Sequence, residues 1–393
     1  MHKPLEQSIF GYVMKKIPFH VPYLAGDEIK YLNQVLDSGN FAGNGPFTKK
    51  AQSIISKKTR APATLLTHSC TGALELSAML LDIGPNDEVI VPSYTFVSTA
   101  SAFLRNGAKV IFADIDEHTL MLDKTDVLEK ITPNTKAIIP VNYAGLSSDL
   151  SNFIDICEDN DIYLIEDNAQ GFGSESFGKP LGTHGVLGAL SFHETKNIHC
   201  GLGGALLINQ QDLFDRAENI WERGTNRTKM IKGIVDKYTW VDNGSSFYPT
   251  ELQASFLVSQ LKSMNDNINY RKKLCDAYDS RLSEFENSGS LRRQERENTE
   301  VWNFHAMVVI FNSPNLADKV REGLLENYIH AYIGYVPLHS SPMGVSLGWK
   351  FGDLPITDKV APCILRLPLH SDMSVDDVDR VCDVIKKYLK EDL

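Results

Sequence analysis

Six short runs of apolar and β-branched residues, spaced by helix-length segments, constrain this chain more than any other feature. They are Glu88–Val91, Lys109–Ala113, Ala137–Val141, Ile162–Ile165, Ala189–Phe192 and Gly204–Ile208. A strand covered on both faces reads as an unbroken apolar run, and strands alternating with helices imply βαβ units and a mainly parallel sheet. The fold class is therefore α/β, and the turns that follow the strands line the sheet edge where such folds bind ligands.

At 393 residues the chain exceeds a single core, so two domains are expected. Residues 27–262 read as a large domain and 263–393 as a smaller C-terminal α+β domain, with residues 1–26 an N-terminal extension or arm. A charged amphipathic stretch, Ser263 to Arg281, leads away from the strand pattern, and the polar segment Asn287 to Thr299 reads as an exposed connection. A strand at His305–Phe311, a helix at Asn315–Glu326 and a last helix at Val375–Leu389 follow, the last opened by Ser374 with Asp376 and Asp377 in its first turn.

Composition excludes several classes. The net charge of −11 argues against nucleic acid or an anionic membrane as partner. Six scattered cysteines show no metal-ligand or CxxC spacing and read as reduced thiols of a cytoplasmic protein. The first sixteen residues carry Lys3, Glu6, Lys15 and Lys16 and no apolar h-region, so no secretion signal is expected. Met14 is an alternative start, with residues 1–13 an extension.

The chemistry concentrates in four places. Thr67-His-Ser-Cys-Thr-Gly-Ala-Leu-Glu75 follows an apolar pair and opens a helical pattern, so the backbone around Cys70, Thr71 and Gly72 can approach a phosphate, or simply make a tight packing turn. Pro92-Ser-Tyr-Thr-Phe-Val97 sets two aromatics after a strand, of which Phe96 is the better placed to stack on a flat ring. An apolar run closes on Asp167, with Gln170 three residues on, and a second closes on Ser191, followed by His193 and Lys196. An acid ending one strand and a lysine just beyond the next is what a pyridoxal phosphate (PLP) enzyme needs. The lysine forms the Schiff base and the acid keeps the pyridine nitrogen protonated. Arg223, Arg227, Lys229, Lys232 and Lys237 cluster within an otherwise acidic chain, either as a solvated face or as a site for a diphosphate.

The runs Ser191-Phe-His-Glu-Thr-Lys-Asn197, Val91-Pro-Ser-Tyr-Thr-Phe-Val-Ser-Thr-Ala100, Glu166-Asp-Asn-Ala-Gln170, Asp236-Lys-Tyr-Thr-Trp240 and Leu367-Pro-Leu-His370 together resemble the DegT/DnrJ/EryC1/StrS nucleotide-sugar aminotransferases, from Ile17 onward. Within that family the Phe-His-Glu-Thr-Lys-Asn form and Gly244-Ser245-Ser246 are similar to the TDP-4-amino-4,6-dideoxygalactose transaminases. The resemblance implies the PLP-dependent aminotransferase fold (fold type I), with L-glutamate as amino donor and TDP-4-keto-6-deoxyglucose as acceptor. It further implies a homodimer with shared active sites.

Residue by residue, the resemblance makes Lys196 the cofactor-bound lysine, Asp167 the partner of the ring nitrogen and Gln170 a contact to the ring hydroxyl. Cys70, Thr71, Gly72 and Ser191 would hold the phosphate, Phe96 would cover the ring, and Ser246 would reach the phosphate of the neighbouring subunit where relatives carry Asn. Tyr335 and His339 would lie on the small-domain loop that reaches substrate; beside that resemblance, Arg223, Arg227 and Lys237 are read as substrate contacts for a diphosphate, and His193 as either packed or substrate-facing. Leu202 stands where relatives often carry Glu, which removes a carboxylate from the active-site turn. Amination at C3, or at C4 with gluco stereochemistry, stays open. A related dehydratase would carry His in place of Lys196, and a silent binding protein on the same fold is favoured only by Leu202.

Overall fold

Seven strands form the central sheet of the computed structural model, which describes residues 8–9, 12–13, 15–296 and 299–391. Most of the questions raised by residues 1–13 therefore lie outside the described residues. In chain order the strands are β1 (Ala63–Thr67), β2 (Glu88–Pro92), β3 (Lys109–Ala113), β4 (Thr135–Ile138), β5 (Tyr163–Asp167), β6 (Leu187–Ser191) and β7 (Gly204–Ile208). They lie side by side as β1-β7-β6-β5-β4-β2-β3, all pointing the same way except β7, which runs antiparallel to β6 and β1. The α/β expectation holds. β1 was legible only as an apolar pair, Leu65-Leu66, and its place at the sheet edge not at all, because spatial order does not follow chain order.

Helices cover both faces. Leu74, Leu76, Phe103 and Trp221 pack on one side with Val89, Ile165 and Leu206, while Ile55, Leu257 and Val258 pack on the other with Leu66, Leu190 and Leu207. Neighbours on a strand thus face opposite ways, as the pleat requires. Full burial of each such side chain contributes about 1.5–3 kcal/mol.

A second sheet, antiparallel throughout, consists of β8 (Leu291–Arg293), β9 (Met307–Phe311), β10 (Tyr332–Ile333) and β11 (Ile364–Leu367) in the order β8-β9-β11-β10. Its outer face carries Val309, Phe311, Leu365 and Leu367 against the helices Met264–Asn287, Pro314–Glu326 and Val375–Glu391. Its inner face carries Val308, Ile310 and Ile364 against Tyr94, Val141 and Tyr143 of the large sheet's loops. Strand β8 falls inside the segment read from sequence as an exposed connection. It forms because Leu291 is buried opposite Phe311. Ser374 caps the last helix, accepting from Asp377 N at 3.2 Å while Asp377 Oδ2 accepts Ser374 N at 2.9 Å, the reciprocal pattern of a capping box.

Before the first helix, Ile17 bridges to Ile329, and Leu369 N donates to Phe19 O at 3.4 Å. This stretch lays Phe19 and His20 between the two sheets. Among the described residues no helix is long and apolar enough to cross a membrane.

Candidate active site

Thr67, Pro92, Asp167 and Ser191 are the last residues of four strands. Because β1, β2, β5 and β6 point the same way, these ends gather on one edge, and register places Thr67 and Ser191 either side of Gly204. The edge closes tightly there. A Cβ on Gly204 would lie 2.4 Å from the backbone nitrogen of Cys70, so only glycine lets β7 pass the helix start.

The two acids that end β5 face opposite ways. Glu166 is wholly buried and accepts from Asn142 Nδ2, Gly182 N, His184 N and Gly185 N at 2.7–3.1 Å, a structural carboxylate with its hydrogen bonds filled. Asp167 turns to the site. Its Oδ2 accepts the Thr99 hydroxyl at 2.7 Å and its Oδ1 the Ala169 amide at 3.2 Å. Burial raises the Asp167 carboxyl above the usual carboxylate range, against the opposing pull of these two donors and of Lys196.

Lys196 sits half-buried in the turn after β6, and Asp167 is near enough to act on its charge. Burial pushes the Lys196 ammonium below its ordinary value, and the Arg366 charge pushes the same way; Cys70 and Asp167 oppose both.

The helix Cys70–Leu80 begins at this edge, capped by Ser69, whose Oγ accepts from Gly72 N at 3.0 Å. Thr71 and Ser98 hydroxyls stand 2.7 Å apart beside it. Cys70 is near enough for Asp167 and Lys196 to act on its thiol, which burial raises well above the ordinary value. Ser191 closes β6 with its Oγ accepting from His193 N at 3.4 Å. A helix start ringed by hydroxyls suits a phosphate.

Four aromatics gather opposite. Tyr335 meets Tyr94, Tyr143 and Phe96 at centroid distances of 5.7, 5.8 and 6.3 Å, and Tyr94 and Tyr143 share a hydrogen bond of 3.1 Å. Tyr94 is core, whereas Phe96 is 56% exposed, a flat face left open. Gln170 donates Nε2 to Tyr335 OH at 2.9 Å and accepts Ala144 N at 2.8 Å, so the amide expected to meet a ring hydroxyl is engaged at both ends.

Several expectations need correction. His339, read as a substrate contact, is fully buried; its Nδ1 lies 2.7 Å from Ser93 Oγ and its Nε2 3.3 Å from Asp358, so it ties its loop to the end of β2. The basic cluster is largely neutralised in place, with Arg227 on Glu222, Lys229 on Asp215 and Lys232 on Glu218. Arg223 stacks over Tyr248 at 4.9 Å, and Lys237 and Ser246 are exposed. His193 is half-buried beside Thr195 Oγ1 at 3.0 Å. Leu202 is exposed, its carbonyl accepting from Gln253 Nε2 at 2.8 Å.

The sequence reading missed Phe19, His20, Arg271, His305 and Arg366, which with Lys196, Gln170 and Tyr335 line a cavity of about 190 Å³. Burial and Lys196 hold His305 neutral, well below the usual histidine value. Arg366 lies within an apolar strand, where a single cation reads as a surface residue. Its place on the inner face is visible only once β11 is paired.

The residues fit PLP. A buried carboxylate raised by burial calls for a cationic partner such as a protonated ring nitrogen, the capped helix start suits a phosphate, and Phe96 offers a stacking face. Lys196 supplies an amine near the carboxylate and the helix start. Among the described residues no group of three or more metal-ligating side chains occurs.

Residues 22–386 match the model of the DegT/DnrJ/EryC1/StrS aminotransferase family. The chain is 28% identical to the GDP-perosamine synthase of Escherichia coli O157:H7 over 380 residues, covering 96% of this chain and 100% of that one. It is 29% identical over 381 residues to the dTDP-4-dehydro-2,3,6-trideoxy-D-glucose 4-aminotransferase of Saccharopolyspora spinosa, covering 95% and 97%. Its structure is similar to the PLP form of Spr1654 from Streptococcus pneumoniae, with a TM-score of 0.87 and 25% identity, covering 96% and 100%.

Proposed function

The chain belongs to the DegT/DnrJ/EryC1/StrS aminotransferase family and is a PLP-dependent sugar aminotransferase, and from that premise we propose that it aminates C4 of a nucleotide-linked 4-keto-6-deoxy sugar. TDP-4-keto-6-deoxyglucose with L-glutamate as donor is the preferred pair, giving the galacto amine. The resemblance of Ser191–Asn197 and Gly244–Ser246 supports this choice, and the name of the Saccharopolyspora relative carries both nucleotide and position.

The observation that carries the reading is the meeting of Lys196, lowered by burial, with the buried Asp167 at one sheet edge. When bound, PLP supplies a carbonyl that exchanges amines and a ring that withdraws electrons. Lys196 Nζ, whose charged form burial disfavours, takes a proton from the donor's α-carbon and returns one to the adjoining centre. In the second half the same nitrogen moves a proton onto the sugar's C4. Asp167 holds the positive charge at the ring nitrogen, and Thr99 fixes the carboxylate. Cys70, Thr71, Gly72 and Ser191 anchor the phosphate, and Phe96 covers the ring. The division near residue 262, with the cleft between the two parts, belongs to this proposal.

A homodimer is part of it too. Ile231, Ile234, Tyr238, Trp240 and Val241 form an exposed apolar stretch, Trp240 at 78%, of the kind that subunit contacts cover. Ser246, Arg223 and Lys237 lie along or beside that stretch, and we assign them to the partner's site, while Arg227 stays on Glu222.

The test is proton NMR of the product after incubation with PLP, L-glutamate and TDP-4-keto-6-deoxyglucose. An amine at C4 with small H3–H4 coupling supports the proposal; an unaminated sugar, or an amine elsewhere, overturns it.

A further inference from the structure

Lys196 stands in the turn 192–203 that joins β6 to β7, and a stretch from near the start of the chain runs past it. The turn is closed by its own backbone, Glu194 N donating to Gly201 O at 2.8 Å and Cys200 N to Phe192 O at 3.0 Å. The stretch, residues 17–23, is fixed at both ends. Near the second sheet Leu369 N donates to Phe19 O at 3.4 Å, and the His370 ring meets Pro18 O at 3.1 Å. At the other end Gln260 Nε2, on the helix Glu251–Lys262, donates to Tyr23 O at 2.9 Å.

Between these anchors two histidines cross in opposite directions. His20 Nε2, on the stretch, lies 2.7 Å from Glu194 O of the turn, and His199 Nε2, on the turn, lies 2.7 Å from Tyr23 O of the stretch. Burial lowers the proton affinity of both rings, so at neutral pH each carries a single proton. A carbonyl oxygen only accepts, which puts that proton on Nε2 in both. His199 Nδ1 is then an acceptor, and Gly201 N donates to it at 3.4 Å. The two contacts fall two residues before Lys196 and three after it, so they grip the turn on both sides of the lysine.

We propose that His20 and His199 form a reciprocal clasp that fixes the backbone under Lys196, an assignment that rests on the transaminase reading. Both are positioning residues. The reaction asks Lys196 Nζ to move protons at two centres, and a side chain reaches two points reproducibly only from a backbone that stays in place. Next to the lysine, Asn197 Nδ2 donates to Asn303 O at 2.7 Å and holds the tip of the turn. The clasp holds its two arms, because the stretch it fastens to is itself tied to the helix Glu251–Lys262 and to the segment after β11.

The experiment measures amide hydrogen exchange and turnover on the PLP-loaded protein. The half-buried His20 is cut first, as His20→Ala, because His199 is 3% exposed and its loss disturbs packing more. In His20→Ala and in His199→Ala the peptide spanning 192–203 should exchange roughly 2- to 10-fold faster, the range for losing one hydrogen bond, while the strands of the large sheet exchange as before. In His199→Ala, whose ring lies outside the cavity lining, kcat should fall by a similar factor with KM for L-glutamate and for the sugar unchanged, because the clasp acts after binding. His20→Gln, which returns an N–H to the place of Nε2, should restore the exchange rate. His199→Gln should restore it in part, since Gly201 N loses its acceptor. Unchanged exchange at 192–203 in both alanine variants, faster exchange spread over the whole chain, or a raised KM at constant kcat in His199→Ala overturns the clasp. A wild type that binds PLP and transfers no amine overturns the transaminase reading and this inference together, whereas an active wild type beside unaffected alanine variants overturns this inference alone.

Discussion

Thr99 donates its hydroxyl to Asp167 Oδ2 at 2.7 Å, and Thr95 Oγ1 stands 2.9 Å behind it. The helix Ser98–Arg105 thus carries a buried hydroxyl onto the one carboxylate at this edge that burial disfavours. Asp167→Asn should lower turnover about 100-fold or more, as expected when preorganised charge is removed. Thr99→Val should lower it about 10-fold, because one hydrogen bond to a charged group is worth ~1.5–3 kcal/mol. Steady-state kinetics with saturating PLP checks both, and a Thr99→Val enzyme at full rate would detach the hydroxyl from the mechanism.

Glu166, next in sequence and opposite in direction, should behave otherwise. Its four donors, three of them backbone amides, cannot turn away if the charge is lost. Glu166→Gln should cost about 3 kcal/mol or more in chemical denaturation. Asp167→Asn should stay within about 1 kcal/mol, since burial strains its charge. Equal losses in the two variants would contradict this division of labour.

Phe96 is mostly exposed in the absence of a ligand, so Phe96→Ala should leave the apo melting temperature unchanged. PLP retention should weaken by about 1 kcal/mol, the worth of a stacked aromatic pair. Spectral titration of the apo protein reads this directly; unaltered affinity would remove Phe96 from the ring.

Asp167, Lys196 and the helix start after β1 were legible in the sequence because each ends or follows a strand, and strand ends converge by topology. Choosing Asp167 over Glu166 needed the family resemblance, since pleat direction alone does not say which face holds the ligand. Arg366 was illegible because Ile364–Leu367 reads as an ordinary strand, and its inner face exists only once β9 and β11 pair. His339 reads as a substrate contact from the resemblance alone; the bare sequence shows a strand followed by a turn, and the structure places Ser93 and Asp358 around the ring.

A pH dependence follows from four histidines whose proton affinity burial lowers. Burial lowers His20 to about 4, and lowers His199, His305 and His370 as well. These groups bind protons more readily unfolded than folded, so stability rises with pH where they differ. It should fall as pH drops from about 6.5, the unfolded histidine value, toward 4, and His20 should add nothing further below that. His20→Gln should reduce the loss of melting temperature between pH 7 and 5. An identical slope in the variant would show that folding leaves the proton affinity of His20 unchanged.

The central claim is that Lys196 is the residue that holds the cofactor and hands it on, and borohydride reduction of the PLP-loaded protein tests it most directly. Peptide mass mapping should place the pyridoxyl label on the peptide bearing Lys196, and prior incubation with L-glutamate should abolish it. A label on any other lysine, or none on Lys196 in a protein that still transfers the amine, would contradict the account.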